Sequence, residues 1–308
     1  MIPAMKRWSG RVLGLLVLAV SAVGQVNEVR SLAPGVYFHG GDFRRGHSNN
    51  GWIVFEDYVL LIDANFPSGA EVVLPKIKAI TDRPVRFAFD THHHGDHAYG
   101  NQFWVEQGAV PIAHTGAIAE MREREPAHWD NAAKNRPDVA ASKLKLPSVG
   151  FPDRLFFDDG RHRVELIWLG VGHTKGDGFA WLPKEKILFT GDAAVNGAYN
   201  YVGDAHIGEW IKTLERAKAL GAEIVCPGHG PMGGPEILAD QQAYFIALYA
   251  EVQALRDAGR TPAQVKEAVP AIRDNLKKTE RIARYVPAGL TGVVDKVWTE
   301  LGGVPLPK

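Results

Sequence analysis

The sequence predicts an α/β protein, a four-layer αββα sandwich with a helical extension at its C-terminal end. Three observations predict it. Short β-prone runs alternate with amphipathic helical stretches. The pattern occurs once before residue 115 and again from Val164 onward, so two β/α halves face each other. In both halves histidines and aspartates follow directly on the ends of predicted strands, where active sites on α/β scaffolds gather.

The elements follow in order. Residues 35–39 and 51–55 are short β-prone runs, and Asn49-Asn50-Gly51 between them is turn chemistry. Glu56-Asp57 turns the chain into a third run at 58–63, which makes an antiparallel meander. A helix comes next. Ser68 is its candidate N-cap and Glu71 completes a capping box, with Val72, Val73, Ile77 and Ile80 as the apolar stripe and Pro84 as the stop. Residues 85–89 are a buried strand that runs into a histidine cluster, closing a βαβ unit. A strand at 110–114 and a helix at 117–124 follow. The polar stretch 126–152 has weak periodicity and reads as an irregular insertion over the site. Strands recur at 164–169, 178–182 and 187–190. An amphipathic helix spans 207–220 with Trp210, Leu214 and Ala217 on one face, and a buried strand occupies 222–226. From 235 to 308 the chain is helical by composition, with Thr261-Pro262 a good helix start.

The chain has 308 residues, 35 basic against 35 acidic, and no long basic run. That argues against nucleic acid as a partner, since phosphate binding needs a clustered positive face. One cysteine, Cys226, excludes an intrachain disulfide. Residues 1–24 have the form of a secretory signal: Lys6, Arg7 and Arg11, an apolar run of about a dozen residues, and small residues at Ala22 and Gly24. The run is shorter than the roughly 20 residues that span a bilayer. The expectation is a cleaved signal, a single domain over 25–308, a periplasmic or secreted location and no stable membrane association afterwards.

Four of the 12 histidines fall within residues 92–97, in Thr91-His92-His93-His94-Gly95-Asp96-His97. Imidazole and carboxylate are donors suited to a divalent ion such as zinc. His92 and His94 are two apart, so on an extended segment they project to one side and reach one ion, while Asp96 and His97 reach a second. Three further donors sit past strand ends: His173 in Gly-His-Thr, Asp192 in Thr-Gly-Asp, and His229 in Pro-Gly-His-Gly.

In this order the motifs resemble the metallo-β-lactamase superfamily, over residues 31–234. The resemblance implies His92, His94 and His173 on a first metal, Asp96, His97 and His229 on a second, and Asp192 bridging the two. It implies Asp63 behind them, supporting the loop. The implied cofactors are two Zn2+ ions per chain, with iron the other candidate. The implied enzyme is a hydrolase in which a metal-bridging hydroxide, oriented by Asp96, attacks a carbonyl of a small ester, lactone, thioester or amide. An aspartate at position 192 is the pattern of lactone, thioester and RNA-processing members. It argues against dedicated β-lactam hydrolysis and leaves room for a side activity. The alternative is a mono-iron oxidoreductase similar to the sulfur and persulfide dioxygenases.

Other residues divide between chemistry and packing. Tyr199, Asn200 and Tyr201 line the pocket or bind an oxyanion, or simply pack the loop. His93 alternates off the His92/His94 face and reads as a core or supporting histidine. His114 reads as a satisfied strand histidine and Cys226 as a buried one at a strand end. Lys175 and Asp177 read as solvated loop charges, and Trp129 as part of a lid or as cover for apolar surface.

Overall fold

The structure is a computed structural model that describes residues 26–199 and 201–307. The signal segment expected at 1–24 and Asn200 lie outside the described residues. Two mixed sheets stack face to face. The first holds seven strands in chain order: β1 (Val29–Ala33), β2 (Val36–His39), β3 (Asn50–Val54), β4 (Val59–Ile62), β5 (Val85–Asp90), β6 (Val110–His114) and β7 (Val149–Phe151). β1 to β4 are antiparallel, and β4 to β7 are parallel. The second sheet holds β8 (Arg154–Asp158), β9 (Arg163–Trp168), β10 (Gly178–Leu182), β11 (Ile187–Gly191) and β12 (Ile224–Pro227), in the order β12-β11-β10-β9-β8. Only its β11/β12 pair is parallel.

Strand β4 shows why four layers form. Side chains alternate faces along a strand. Leu60 and Ile62 enter the core between the sheets, whereas Val59 and Leu61 enter the outer core under the helices. A strand apolar on both faces has to be covered on both. Between the sheets, Phe38, Ile53, Ile62 and Phe89 meet Leu166, Ala180, Leu182 and Phe189. Each of the larger of these side chains contributes roughly 1.5–3 kcal/mol through burial. Helices α1 (Pro67–Lys78) and α3 (Asn101–Glu106) cover the first sheet through Val73, Ile77 and Trp104. Helices α6 (Ile207–Lys218) and α7 (Glu236–Asp257) cover the second through Trp210, Leu214, Phe245 and Leu248.

The C-terminal extension continues with α8 (Pro262–Lys277), α9 (Glu280–Ala283) and α10 (Thr291–Glu300), packed on α7 through Val265, Ile272, Tyr285 and Val294. Thr261 and Gln264 form a full capping box at the start of α8. Glu300, at the end of α10, accepts hydrogen bonds from the backbone N–H groups of Ile207 (2.7 Å) and Gly208 (3.1 Å) at the start of α6. The extension thereby holds the helix that follows the Asp192 loop.

Four local expectations are corrected. Ser68 does not cap α1; Phe66 occupies the N-cap without a side-chain bond, because the Ser68 hydroxyl donates to Asp138 (2.6 Å) and faces His47 Nε2 (3.0 Å). Ile80 lies past the end of the helix and is exposed. Asn49-Asn50-Gly51 is not a turn. Asn50 opens β3, and both asparagine side chains are buried, donating to backbone carbonyls of other segments. The 126–152 stretch is ordered: helix α4 (Thr115–Ala133) continues through Pro126, α5 (Pro137–Ala140) follows, and β7 extends the first sheet. Buried Met121, Glu125 and Trp129, four residues apart, keep α4 on one face despite the proline.

Trp210 is fully buried, donates Nε1–H to the Ala193 carbonyl (2.8 Å) and packs on Phe245 with ring centroids 4.6 Å apart. Trp210→Ala is expected to lower unfolding free energy by roughly 3–5 kcal/mol. Urea denaturation followed by circular dichroism checks this; a loss below about 1 kcal/mol would show that the second outer core does not depend on this side chain.

Candidate metal centre

The C-terminal ends of β4, β5, β9, β11 and β12 deliver Asp63, the 91–97 segment, His173, Asp192 and His229 to one edge of the sandwich. Asp63 leaves β4 with φ +63, a left-handed conformation that aspartate tolerates. The turn aims its carboxylate back at the histidine loop. Oδ1 accepts from Thr91 N–H (2.9 Å) and Thr91 Oγ1–H (2.8 Å), and Oδ2 accepts from His97 Nδ1–H (2.9 Å).

The hydrogen bonds around the first three histidines assign their protons. His92 Nδ1 lies 3.1 Å from the Thr91 hydroxyl, which already donates to Asp63 and so accepts from the ring. His173 Nδ1 donates to the Tyr201 carbonyl (3.0 Å). His94 Nε2 donates to Asp204 Oδ2 (3.0 Å). Each ring has therefore spent its N–H outward, and the remaining three nitrogens carry lone pairs. These face one another: His92 Nε2 is 3.1 Å and His173 Nε2 is 2.9 Å from His94 Nδ1. With one proton on each ring, none is left to share among them. Donors bound at zinc's tetrahedral angles would sit about 3.3 Å apart.

The second group adjoins the first. His229 Nε2 lies 2.9 Å from Asp96 Oδ2, and His97 Nε2 lies 3.5 Å from the same oxygen. Asp192 divides its oxygens: Oδ1 is 3.3 Å from His97 Nε2, while Oδ2 is 3.5 Å from His229 Nε2 and 3.7 Å from His173 Nε2. His97 Nε2 and Asp192 Oδ1 are buried without a hydrogen bond. His97 gives its Nδ1–H to Asp63, and its other nitrogen stands among the carboxylates of Asp96 and Asp192, which favour positive charge there. The donor atoms of His92/His94/His173 and of Asp96/His97/His229 each lie within 4.8 Å of one another. The donor set and its unsatisfied atoms fit a pair of divalent cations.

Electrostatics separates the groups. Burial, with His97 and His94 beside it, pushes the His92 pKa well below the usual value. Burial and His94 push His173 down to about 3. Both are neutral imidazoles, the form that ligates. At His97 burial pushes down, but Asp96, Asp63 and Asp192 prevail and raise the pKa well above the usual value. His229 is raised against burial by Asp192 and Asp96. Burial would raise the Asp192 carboxyl, yet His229 and His97 hold it well below the carboxylate range. This half of the site calls for positive charge.

Residues 43–229, more than half of the chain, match the pattern of the metallo-beta-lactamase superfamily. The chain belongs to that superfamily. It is similar to metallo-beta-lactamase type 2 of Bacteroides fragilis, with 36% identity over 107 residues, 33% of this chain and 43% of that protein. It thus spans less than half the length of that relative. Metallo-beta-lactamase IND-1 of Chryseobacterium indologenes is 25% identical over 61% of this chain and 73% of its own. The solved metallo-beta-lactamase from Pontibacter korlensis shares the fold, with a TM-score of 0.58 and 24% identity over 71% of this chain and 98% of that one.

In this metallo-β-lactamase fold the donors open on a cavity of about 350 Å3 lined by Phe43, His94, Asp96, Asp192, Tyr199, Tyr201 and His229. A neighbouring cavity of about 690 Å3 shares Phe43, Tyr199 and His229. Tyr199 stacks edge-on against Phe43 and lies beside His229, and Tyr201 lies beside His94 and His173. His114 is satisfied away from the site, by the Pro152 carbonyl (2.7 Å) and Gly116 N–H (3.1 Å). Cys226 lies in the core between the sheets. Trp129 packs on Tyr99 with ring centroids 4.6 Å apart, not over the cavity.

Several supporting residues escape sequence reasoning. Asn49 donates to the carbonyls of Pro227 and Gly230 (both 2.8 Å), clamping the His229 loop. A Cβ on Gly228 would stand 2.2 Å from Asp192 Oδ1, so only glycine fits there. His93, expected as a core or supporting histidine, is fully enclosed, and what the sequence did not show is its acidic surroundings, Glu120 3.6 Å from Nδ1 and Glu125 3.8 Å from Nε2. Both acids lie buried on α4, five residues apart, a spacing that gives no local signal. Asp177 is not a solvated charge: it is buried, its pKa is pushed up to about 7 by burial, and it accepts from Thr174 N–H (3.0 Å) and Thr174 Oγ1–H (2.5 Å). It shapes the loop that carries His173. Asp177→Ala is expected to lower stability by about 1–3 kcal/mol, since Thr174 N–H is left buried and unpaired. Thermal melting of the two proteins tests this, and equal midpoints would contradict it.

Proposed function

We propose that the chain is a metal-dependent hydrolase that holds two zinc ions and cleaves a small ester, lactone, thioester or amide, in the periplasm or outside the cell. The carrying observation is the buried gathering of acceptors without protons: three facing imidazole nitrogens, and beside them Asp192 with one oxygen toward His97 and the other toward His173 and His229. His92, His94 and His173 would hold one ion, Asp96, His97 and His229 the other, and Asp192 both. Ions so held would supply Lewis acidity toward water and toward a carbonyl oxygen.

The chain's own groups do the rest. Asp96 is the most exposed carboxylate of the set, its side chain 26% accessible at the cavity mouth. It orients the nucleophile and holds the proton that the reaction releases. The phenols of Tyr199 and Tyr201 line the same mouth and are placed to donate to an oxyanion. Phe43 lines one side of the mouth as an exposed apolar surface against which a substrate can pack. The length and form of residues 1–24 support export, and no helix among the described residues is long and apolar enough to cross a membrane. The names of the relatives bring β-lactams into the substrate screen, while the aspartate at 192 favours lactones and thioesters.

Elemental analysis of the purified protein tests the reading. About two zinc ions per chain is the expected result; one iron with little zinc would replace it with the mono-iron oxidoreductase. Asp192→Ala should lower the metal count, and an unchanged count would remove Asp192 from the bridging role. His92→Ala or His94→Ala should abolish hydrolysis in a chain that keeps its circular dichroism, and chelation should do the same to the wild type until zinc is returned. Full activity in either variant would overturn the ligand set.

A further inference from the structure

His94 is the most exposed ring of its trio, with 15% of the side chain accessible, while the ring of His173 is 1% accessible and His92 is buried. It also differs in which nitrogen faces inward. His92 and His173 present Nε2, and His94 presents Nδ1. An imidazole can offer Nδ1 as a lone pair only when its proton sits on Nε2. The group that receives this proton is Asp204 Oδ2, at 3.0 Å. Asp204 belongs to none of the sequence motifs; it lies in the loop between Asp192 and α6, and its side chain is 8% accessible. Its other oxygen is paired with the Arg124 guanidinium, presented by α4. The outward partners of His92 and His173 are a hydroxyl and a carbonyl, so His94 alone of the three is backed by a charge.

Asp204, His94 and His93 also form a group whose donor atoms lie within 4.8 Å of one another. A cation there would meet Arg124 on the same carboxylate and would require His94 to lose its only proton. His93 Nε2 stands 3.7 Å from Asp204 Oδ2, too far to compete for it as a hydrogen bond. The trio is a hydrogen-bonded support and not a third metal site.

We propose that Asp204 is a positioning residue for the first metal: it holds His94 as the Nε2–H tautomer with Nδ1 turned toward His92 and His173, and Arg124, paired with its other oxygen, keeps the carboxylate aimed. The inference rests on the reading of the trio as a metal site. A carboxylate behind a ligating imidazole fixes the ring and raises its basicity, and losing one weakens metal binding about 10–100-fold. The same ion pair ties α4 to the loop bearing Tyr199 and Tyr201, so metal affinity and the shape of the cavity mouth are joined through one side chain.

The test is zinc competition with a chromophoric chelator on the full chain, with long-range 1H–15N spectra of the zinc-loaded protein to read the His94 tautomer. Asp204→Ala should weaken one of two zinc sites about 10–100-fold and leave the other unchanged. Asp204→Asn keeps an acceptor but no charge, preserves the fold, and should fall between. Wild-type spectra should show His94 protonated at Nε2. Wild-type zinc binding with unchanged affinity in both variants, or a His94 proton on Nδ1, would overturn the role of Asp204 alone. A wild-type chain that binds no zinc would overturn the metal reading together with this inference.

Discussion

Buried lone pairs that face one another repel unless a cation lies among them. This constraint organises the molecule. His92, His94 and His173 each direct a proton-free nitrogen to a common point, and beside it the carboxylates of Asp96 and Asp192 gather around the Nε2 atoms of His97 and His229 and favour positive charge there. Such a set is costly to bury, because each unpaired polar atom forgoes its water. It persists only where the surrounding structure leaves the side chains no alternative. Here that structure is the sandwich, whose strands end together at one edge.

The supports are arranged in depth. Asp63, in a left-handed turn, organises Thr91 and His97 at once. Asn49 ties the His229 loop to the start of β3, and Asn65 donates to Ser48 O (2.9 Å) and Asn50 Oδ1 (2.8 Å) in the same buried chain of amides. Trp210 braces the ring of His173 from α6, with centroids 5.5 Å apart. Glu300 caps α6 from the C-terminal extension. A line of contacts thus runs from the last helix to the group of His92, His94 and His173. The extension belongs to the stability of the site even though no residue of it enters the cavity.

Much of this was legible in the chain. The clustered histidines and the three later motifs name the donors, because metal chemistry restricts residue types and strand ends restrict their places. The strands at 85–89, 178–182 and 187–190 and the helix from Ile207 follow from apolar periodicity, and the structure has them. The failures share a cause. Ser68, Asn49, Asn50 and Asp177 are polar residues that read as caps, turns or solvated charges, since those are their commonest local uses. Ser68, Asn49 and Asn50 are instead engaged by partners from other parts of the chain, and Asp177 is buried by the packing around its loop and turned back on Thr174. Helix α4 runs on past Pro126 because its buried stripe docks on neighbours that no local window contains.

The amino-acid sequence by itself determined the layer order and which histidines and aspartates gather at the edge of the sandwich. Both depend on short-range rules: alternation along a strand, helical periodicity, and the affinity of imidazole and carboxylate for a divalent ion. The tertiary structure alone decided the protons. Which nitrogen of each histidine faces inward depends on what stands behind the other: Thr91, the Tyr201 carbonyl, Asp63, and Asp204 with Arg124. These partners lie as far as 110 residues from the rings they orient. A hydrogen bond is set by distance in space, and spacing along the chain carries no record of it.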